Sequence, residues 1–157
     1  MSAFPNNPAS IDLDRYTVSR TISIQAPVEK VWAAITEAKH LAKWFPHRAE
    51  LPEAAVGARG VFSWDDYGDV PVAIVEFAPM TTVAYRWGNE GGAPADLDSG
   101  ATTVFRFTLG AIDGGTTLTV VESGFDALGD PTARMEDNRG GWTSELDELV
   151  AYLEGSA

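Results

Sequence analysis

Between residues 102 and 124 the chain alternates almost without interruption. Thr103, Phe105, Phe107 and Leu109 occupy one phase, and Thr102, Val104, Arg106 and Thr108 the other. After Asp113-Gly114-Gly115, Leu118 and Val120 stand opposite Thr117, Thr119 and Val121. A period of two predicts strands that are covered on one face and wet on the other, and a short Asp/Gly turn joins them as a hairpin. The same period runs through residues 61–65, 70–77 and 82–88, where Val83, Tyr85 and Trp87 are in phase. It also marks residues 16–24, with Tyr16, Val18, Ile22 and Ile24 on one face. Arg20 is the exception, a charge in the apolar phase.

Elsewhere the period lengthens. Val28, Val31, Trp32 and Ile35 recur at helical spacing behind Pro27, which suits a first helical position. A second short helix carries Ala38, Leu41, Ala42 and Phe45, and Pro46 ends it. The last helix spans residues 131–153: Asp130 is its N-cap, Pro131 lies in its first turn, and Met135, Trp142, Leu146, Leu149 and Leu153 form one stripe. Gly140 and Gly141 interrupt it, each costing about 1 kcal/mol relative to alanine. They are expected where a strand edge, loop or ligand passes too close for a Cβ.

The order is strand, two short helices, five strands and a long helix. It predicts an α+β domain over residues 15–157, with a curved antiparallel sheet of about six strands covered by the C-terminal helix. Residues 1–14, with Phe4-Pro5 and Asn6-Asn7-Pro8, are expected to be a flexible arm. Residues 66–69 are expected to turn, and residues 88–100 to form a long polar loop.

Composition narrows the function. The 157 residues are 45% hydrophobic, enough for a proper core. A net charge of −12 argues against nucleic-acid binding, which needs clustered Lys and Arg. With no cysteine there is no disulfide framework, thiol catalysis or thiolate zinc site. No stretch reads as a secretion signal or a membrane helix, so the cytoplasm is the expected location.

No catalytic motif stands out, and neither a cofactor nor a metal site is expected. His40 and His47 have no partner at metal-ligand spacing and are expected at the surface. Gly88, Gly91 and Gly92 lack the strand–loop–helix context of a phosphate cradle. Glu122, like Arg20, occupies an apolar-phase position, the two lying on the last and first of the expected strands. Those strands can neighbour one another, and a lone buried charge is costly, so Arg20 and Glu122 are expected to form an ion pair. A polar anchor within a ligand cavity is the second reading of these two charges, and a general acid or base the third. Phe62, Trp64, Tyr85, Trp87, Phe105, Phe107 and Trp142, with Met135, converge between sheet and long helix. They line either a plain core or a small-molecule cavity.

Thr21-Ile22-Ser23-Ile24, Ala26-Pro27-Val28-Glu29-Lys30-Val31-Trp32, Ile35-Thr36 and Trp44-Phe45 resemble the opening of the START-like, helix-grip superfamily. Specifically they resemble the branch homologous to the activator of Hsp90 ATPase. Val75-Glu76-Phe77-Ala78-Pro79, Val83-Ala84-Tyr85-Arg86-Trp87, residues 103–109 and 117–125, and Gly141-Trp142 continue the likeness. The resemblance implies a sheet gripping the last helix around a cavity. Its members include lipid and hydrophobic-ligand binders, polyketide cyclases and the Hsp90-activating co-chaperone. No cyclase-type histidine or tyrosine–acid group is present to carry over. The expected function is therefore binding of a small hydrophobic or aromatic ligand as carrier or sensor. Cyclase-like chemistry on an aromatic substrate and a chaperone-interacting role are the alternatives, and a homodimer remains open.

Overall fold

The alternating segments pair into one antiparallel sheet. The computed structural model describes residues 6–66, 68–90, 93–94, 97 and 102–155. Its strands are β1 (Ser10–Asp12), β2 (Thr17–Ile24), β3 (Arg48–Glu50), β4 (Arg59–Trp64), β5 (Gly68–Ala78), β6 (Thr82–Glu90), β7 (Ala93–Pro94), β8 (Thr102–Ile112) and β9 (Gly115–Ser123). Helices α1 (Val28–Thr36) and α2 (Ala38–Trp44) connect β2 to β3, and α3 (Pro131–Glu154) follows β9. Among the described residues the order is β1-β2-β9-β8-β6-β5-β4-β3, with β7 paired to β6 off this path.

The sheet thus has eight strands in its main order rather than about six. The additions, β1 and β3, are three-residue strands at its two edges, each with an exposed–intermediate–exposed pattern too short to show a period. Tyr67, Gly91, Gly92 and Gly100, from the expected turn and loop, lie outside the described residues, as do residues 1–5. The rest of the expected arm is packed: Ser10 to Asp12 pair with β2, and Ala9 is buried, its N–H donating to Thr143 Oγ1 at 3.0 Å. A segment without periodicity had nothing local to announce this; β2 offers it an open edge.

The inner faces of β2, β9, β8 and β6 bring Ile22, Leu118, Val120, Phe105, Phe107 and Val83 out of solvent. Met135, Trp142, Leu146 and Leu149 of α3 are buried too. Two side chains tie the short helices down: Tyr85 donates to the Ile35 carbonyl at 2.6 Å, and Trp44 to the Ala34 carbonyl at 2.8 Å. Asp130 caps α3 through Ala133 N–H at 3.4 Å, with Pro131 at the first turn. Pro27 sits one position earlier than expected, as the N-cap of α1.

Gly140 and Gly141 are not places of close approach: nothing lies within 4 Å of where a Cβ would stand. Tight glycines exist, but in the sheet. A Cβ on Gly60 would run into the Glu50 carbonyl, and one on Gly115 into the Ile24 carbonyl.

Candidate functional site

Cross-strand register assembles the centre of the site. Trp87 of β6 faces Thr103 of β8, and Phe105, two residues further along β8, faces Glu122 of β9. Trp87, Thr103 and Glu122 therefore converge on the inner face, under α3. Glu122 Oε2 accepts from Thr103 Oγ1 at 2.5 Å and Trp87 Nε1 at 2.9 Å. Oε1 accepts from Trp142 Nε1 at 2.8 Å and Asn138 Nδ2 at 2.9 Å, both from α3. The carboxyl is fully buried and surrounded by donors, with no cation among these partners. Burial pushes its pKa up, and the four donors oppose that shift.

Arg20 is not its partner. Register places Val18, not Arg20, opposite Glu122, and Arg20 opposite Val120. The Arg20 guanidinium reaches to the next turn of the helix, donating to the Asn7 carbonyl at 2.7 Å, the Thr143 carbonyl at 2.9 Å and Asp147 Oδ1 at 2.7 Å. Each buried charge finds its own partners on α3, so mutual pairing is not needed.

Above Glu122 a cavity of about 330 Å³ opens between α3, β6 and the β4–β5 turn. Its apolar lining is Phe45, Trp64, Val70, Trp87 and Trp142; its polar lining is Asp66, Arg134, Asp137, Asn138 and Glu145, and Gly141 completes it. Of the aromatic residues expected there, Trp64, Trp87 and Trp142 line the space. Phe62, Tyr85, Phe105, Phe107 and Met135 do not: all five are fully buried in the core. Phe45 explains the division. Its ring stands 5.5–5.9 Å from those of Phe62, Trp64, Trp87, Phe105 and Trp142, filling the centre of the expected hollow.

Phe45 and the polar lining were missed as site residues. Phe45 caps α2 with φ −109° and ψ −93°, off the helical geometry, so its ring does not follow the helical stripe. The polar lining did leave a signal: Arg134, Asn138, Gly141 and Glu145 are spaced four, three and four, a second stripe of α3 beside the apolar one. Burial and the neighbouring Glu148 push the Glu145 carboxyl up to about 7. Arg134 Nη2 pairs with Asp137 at 3.1 Å, while its Nε is buried without a hydrogen-bond partner.

Both histidines lie elsewhere. His40 Nδ1 and the Tyr152 hydroxyl are 2.7 Å apart, and His47 Nδ1 accepts from the Asp65 N–H at 2.7 Å. Among the described residues no group of three or more His, Asp or Glu is placed to hold a metal. Among them, too, no helix is long and apolar enough to cross a membrane.

The family described as Activator of Hsp90 ATPase homolog 1-like protein matches residues 25–154. The chain belongs to that family, and with it to the START-like, helix-grip superfamily. No curated protein matches it. Among solved structures, protein MLL2253 from Mesorhizobium loti is 26% identical, with 90% of this chain and 98% of that one covered and a TM-score of 0.75. DynU16, from the dynemicin biosynthetic locus, is also 26% identical at a TM-score of 0.70, over 88% of this chain but 47% of its own, so this chain spans about half of it. The Aha1 dimer from Colwellia psychrerythraea, 24% identical over 90% of this chain and 98% of that one, shares the fold at a TM-score of 0.70.

Proposed function

We propose that this member of the Activator of Hsp90 ATPase homolog 1-like family is a carrier or sensor of a small, largely apolar ligand, held between sheet and α3. One observation carries the reading: the core closes around Phe45, yet a 330 Å³ space lined by three tryptophans stays open above it. That volume lies at the small end of ligand sites, and its mix of apolar walls with a few polar groups is their usual ground plan. Its lining holds no serine, threonine, cysteine or lysine, and Glu122, the one fully buried acid among the described residues, is enclosed by donors rather than presented to the space.

Titration with an apolar fluorescent probe should give one site and quench tryptophan emission, and Trp142→Ala should remove much of the response. Native mass spectrometry of freshly purified protein should reveal a co-purified small molecule. A wild-type protein that binds no probe and carries no ligand refutes the reading. A second reading, chemistry on an aromatic substrate, draws support from the likeness to DynU16, a protein of a biosynthetic locus. Turnover of a bound aromatic compound would favour it.

A further inference from the structure

We propose that the cavity takes a lipophilic organic cation, an alkyl- or arylammonium group seated among Trp64, Trp87 and Trp142 beneath the carboxylates of Asp66 and Glu145. This rests on the cavity being a ligand site and adds the charge of the ligand.

Three observations converge. First, the walls are indole-rich, and indole is the side chain whose face attracts cations most strongly. Second, two of these indoles donate their N–H to the same buried carboxyl group, Glu122. A hydrogen bond from the ring edge to an acceptor draws the N–H dipole outward and leaves the ring face more electron-rich. It also fixes the two rings, one from the sheet and one from α3, in 29° stacked register with centroids 6.2 Å apart, so little ordering is left to ligand binding.

Third, the charge around the cavity is unbalanced. Asp66, Asp137 and Glu145 line it against a single cation, Arg134, which is held by Asp137 at 3.1 Å. Among the described residues no Lys, Arg or His pairs with Asp66 or Glu145. The upward shift of Glu145 to about 7 is the response of a carboxyl in a negative, half-desolvated place. A bound cation would neutralise that field. Arg134, though part of the lining, offsets only one of these acids: its Nη2 pairs with Asp137 at 3.1 Å. An overall charge of −12 further favours cationic over anionic ligands at encounter.

The test compares two ligands of one shape, benzyltrimethylammonium and its all-carbon isostere neopentylbenzene, and adds a smaller aromatic anion, benzoate, each followed by tryptophan quenching of the full chain. The ammonium ion should bind about tenfold more tightly than the isostere, with benzoate the weakest. Asp66→Asn combined with Glu145→Gln should lower the ratio of benzyltrimethylammonium to neopentylbenzene affinity several-fold, the ratio being read whichever way the two separate affinities move. Equal or tighter binding of neopentylbenzene or benzoate overturns the cation assignment and leaves the ligand site standing. An undiminished preference in the double variant overturns the role of the two carboxylates. Binding of none of the three overturns the site itself.

Discussion

Arg20 and Glu122 lie on neighbouring strands, face the same helix and are both withdrawn from water, yet they are stabilised in opposite ways. Arg20 is met by two backbone carbonyls and by Asp147, whose side chain is 62% exposed. Its charge is conducted to the surface, and the N-terminal segment is fastened beside it through the Asn7 carbonyl and the Ala9 N–H. Glu122 is met by neutral donors only, two of them the tryptophans that line the cavity. One end of the helix–sheet gap is a sealed structural joint. The other is an open site whose polar centre is shielded by the residues it positions. A buried charge marks function less by its burial than by what its partners also touch.

Deleting the two charges separately should sharpen that contrast. Glu122→Ala strands the Trp142 N–H and weakens the hold on Trp87, Thr103 and Asn138 while opening a void; it should cost about 3–5 kcal/mol. Arg20→Met takes the guanidinium from the Asn7 and Thr143 carbonyls but releases Asp147 to water, and should cost about 2–3 kcal/mol. Because they share no partner, the double variant should be additive within about 0.5 kcal/mol by urea unfolding. A coupling well beyond that would restore the direct pairing that the register denies. Only Glu122→Ala should also shift tryptophan emission and reduce probe binding.

Why the inner-face position of both charges was legible and their pairing misread follows from the physics of register. The alternation of Thr103, Phe105, Phe107 and Leu109 announces an inner face because each residue reports its own environment. Pairing between strands β2 and β9 depends on alignment across nearly a hundred residues, and an offset of two was enough to part Arg20 from Glu122. The aromatic content of the site was equally legible, but which rings line space and which fill it was not. That division depends on Phe45, whose position is set where α2 breaks, and no periodicity encodes the break.

The acid at the mouth offers a second way to separate the two ends. Glu145 has its pKa raised from near 4.5 to about 7, so its folded state holds a proton that the unfolded chain releases. The sign follows: its contribution to stability is full below about pH 4.5 and is lost as pH rises through about 7. After allowance for its part exposure, Glu145→Gln should remove about 1–2 kcal/mol of the decline between pH 5 and pH 8, seen as a flatter Tm profile. Burial raises the pKa of Glu122 as well, so its contribution has the same sign. No change on Glu145→Gln would show that the mouth is better hydrated than its burial implies.

The smallest effect lies in the paired glycines. With nothing within 4 Å of either Cβ position, Gly140→Ala and Gly141→Ala should each stabilise by about 0.5–1 kcal/mol, read as a raised Tm. Gly141 alone lines the cavity, so its extra methyl should trim the space and weaken probe binding, while Gly140→Ala should leave binding unchanged. A lowered Tm for Gly141→Ala would mean that the helix approaches the sheet more closely than the structure places it.

The four hydrogen bonds that join Glu122 and Arg20 to α3, accepted from Asn138 and Trp142 and donated to Thr143 and Asp147, have a mechanical consequence. They act as two rivets little more than one helical turn apart, one on either side of the plane where a hinge would have to bend. Swinging α3 away from the sheet would shear both at once, including contacts made by two buried charges. Both rivets hold α3 against the sheet from one stretch of the helix, so the roof of the cavity behaves as a fixed wall.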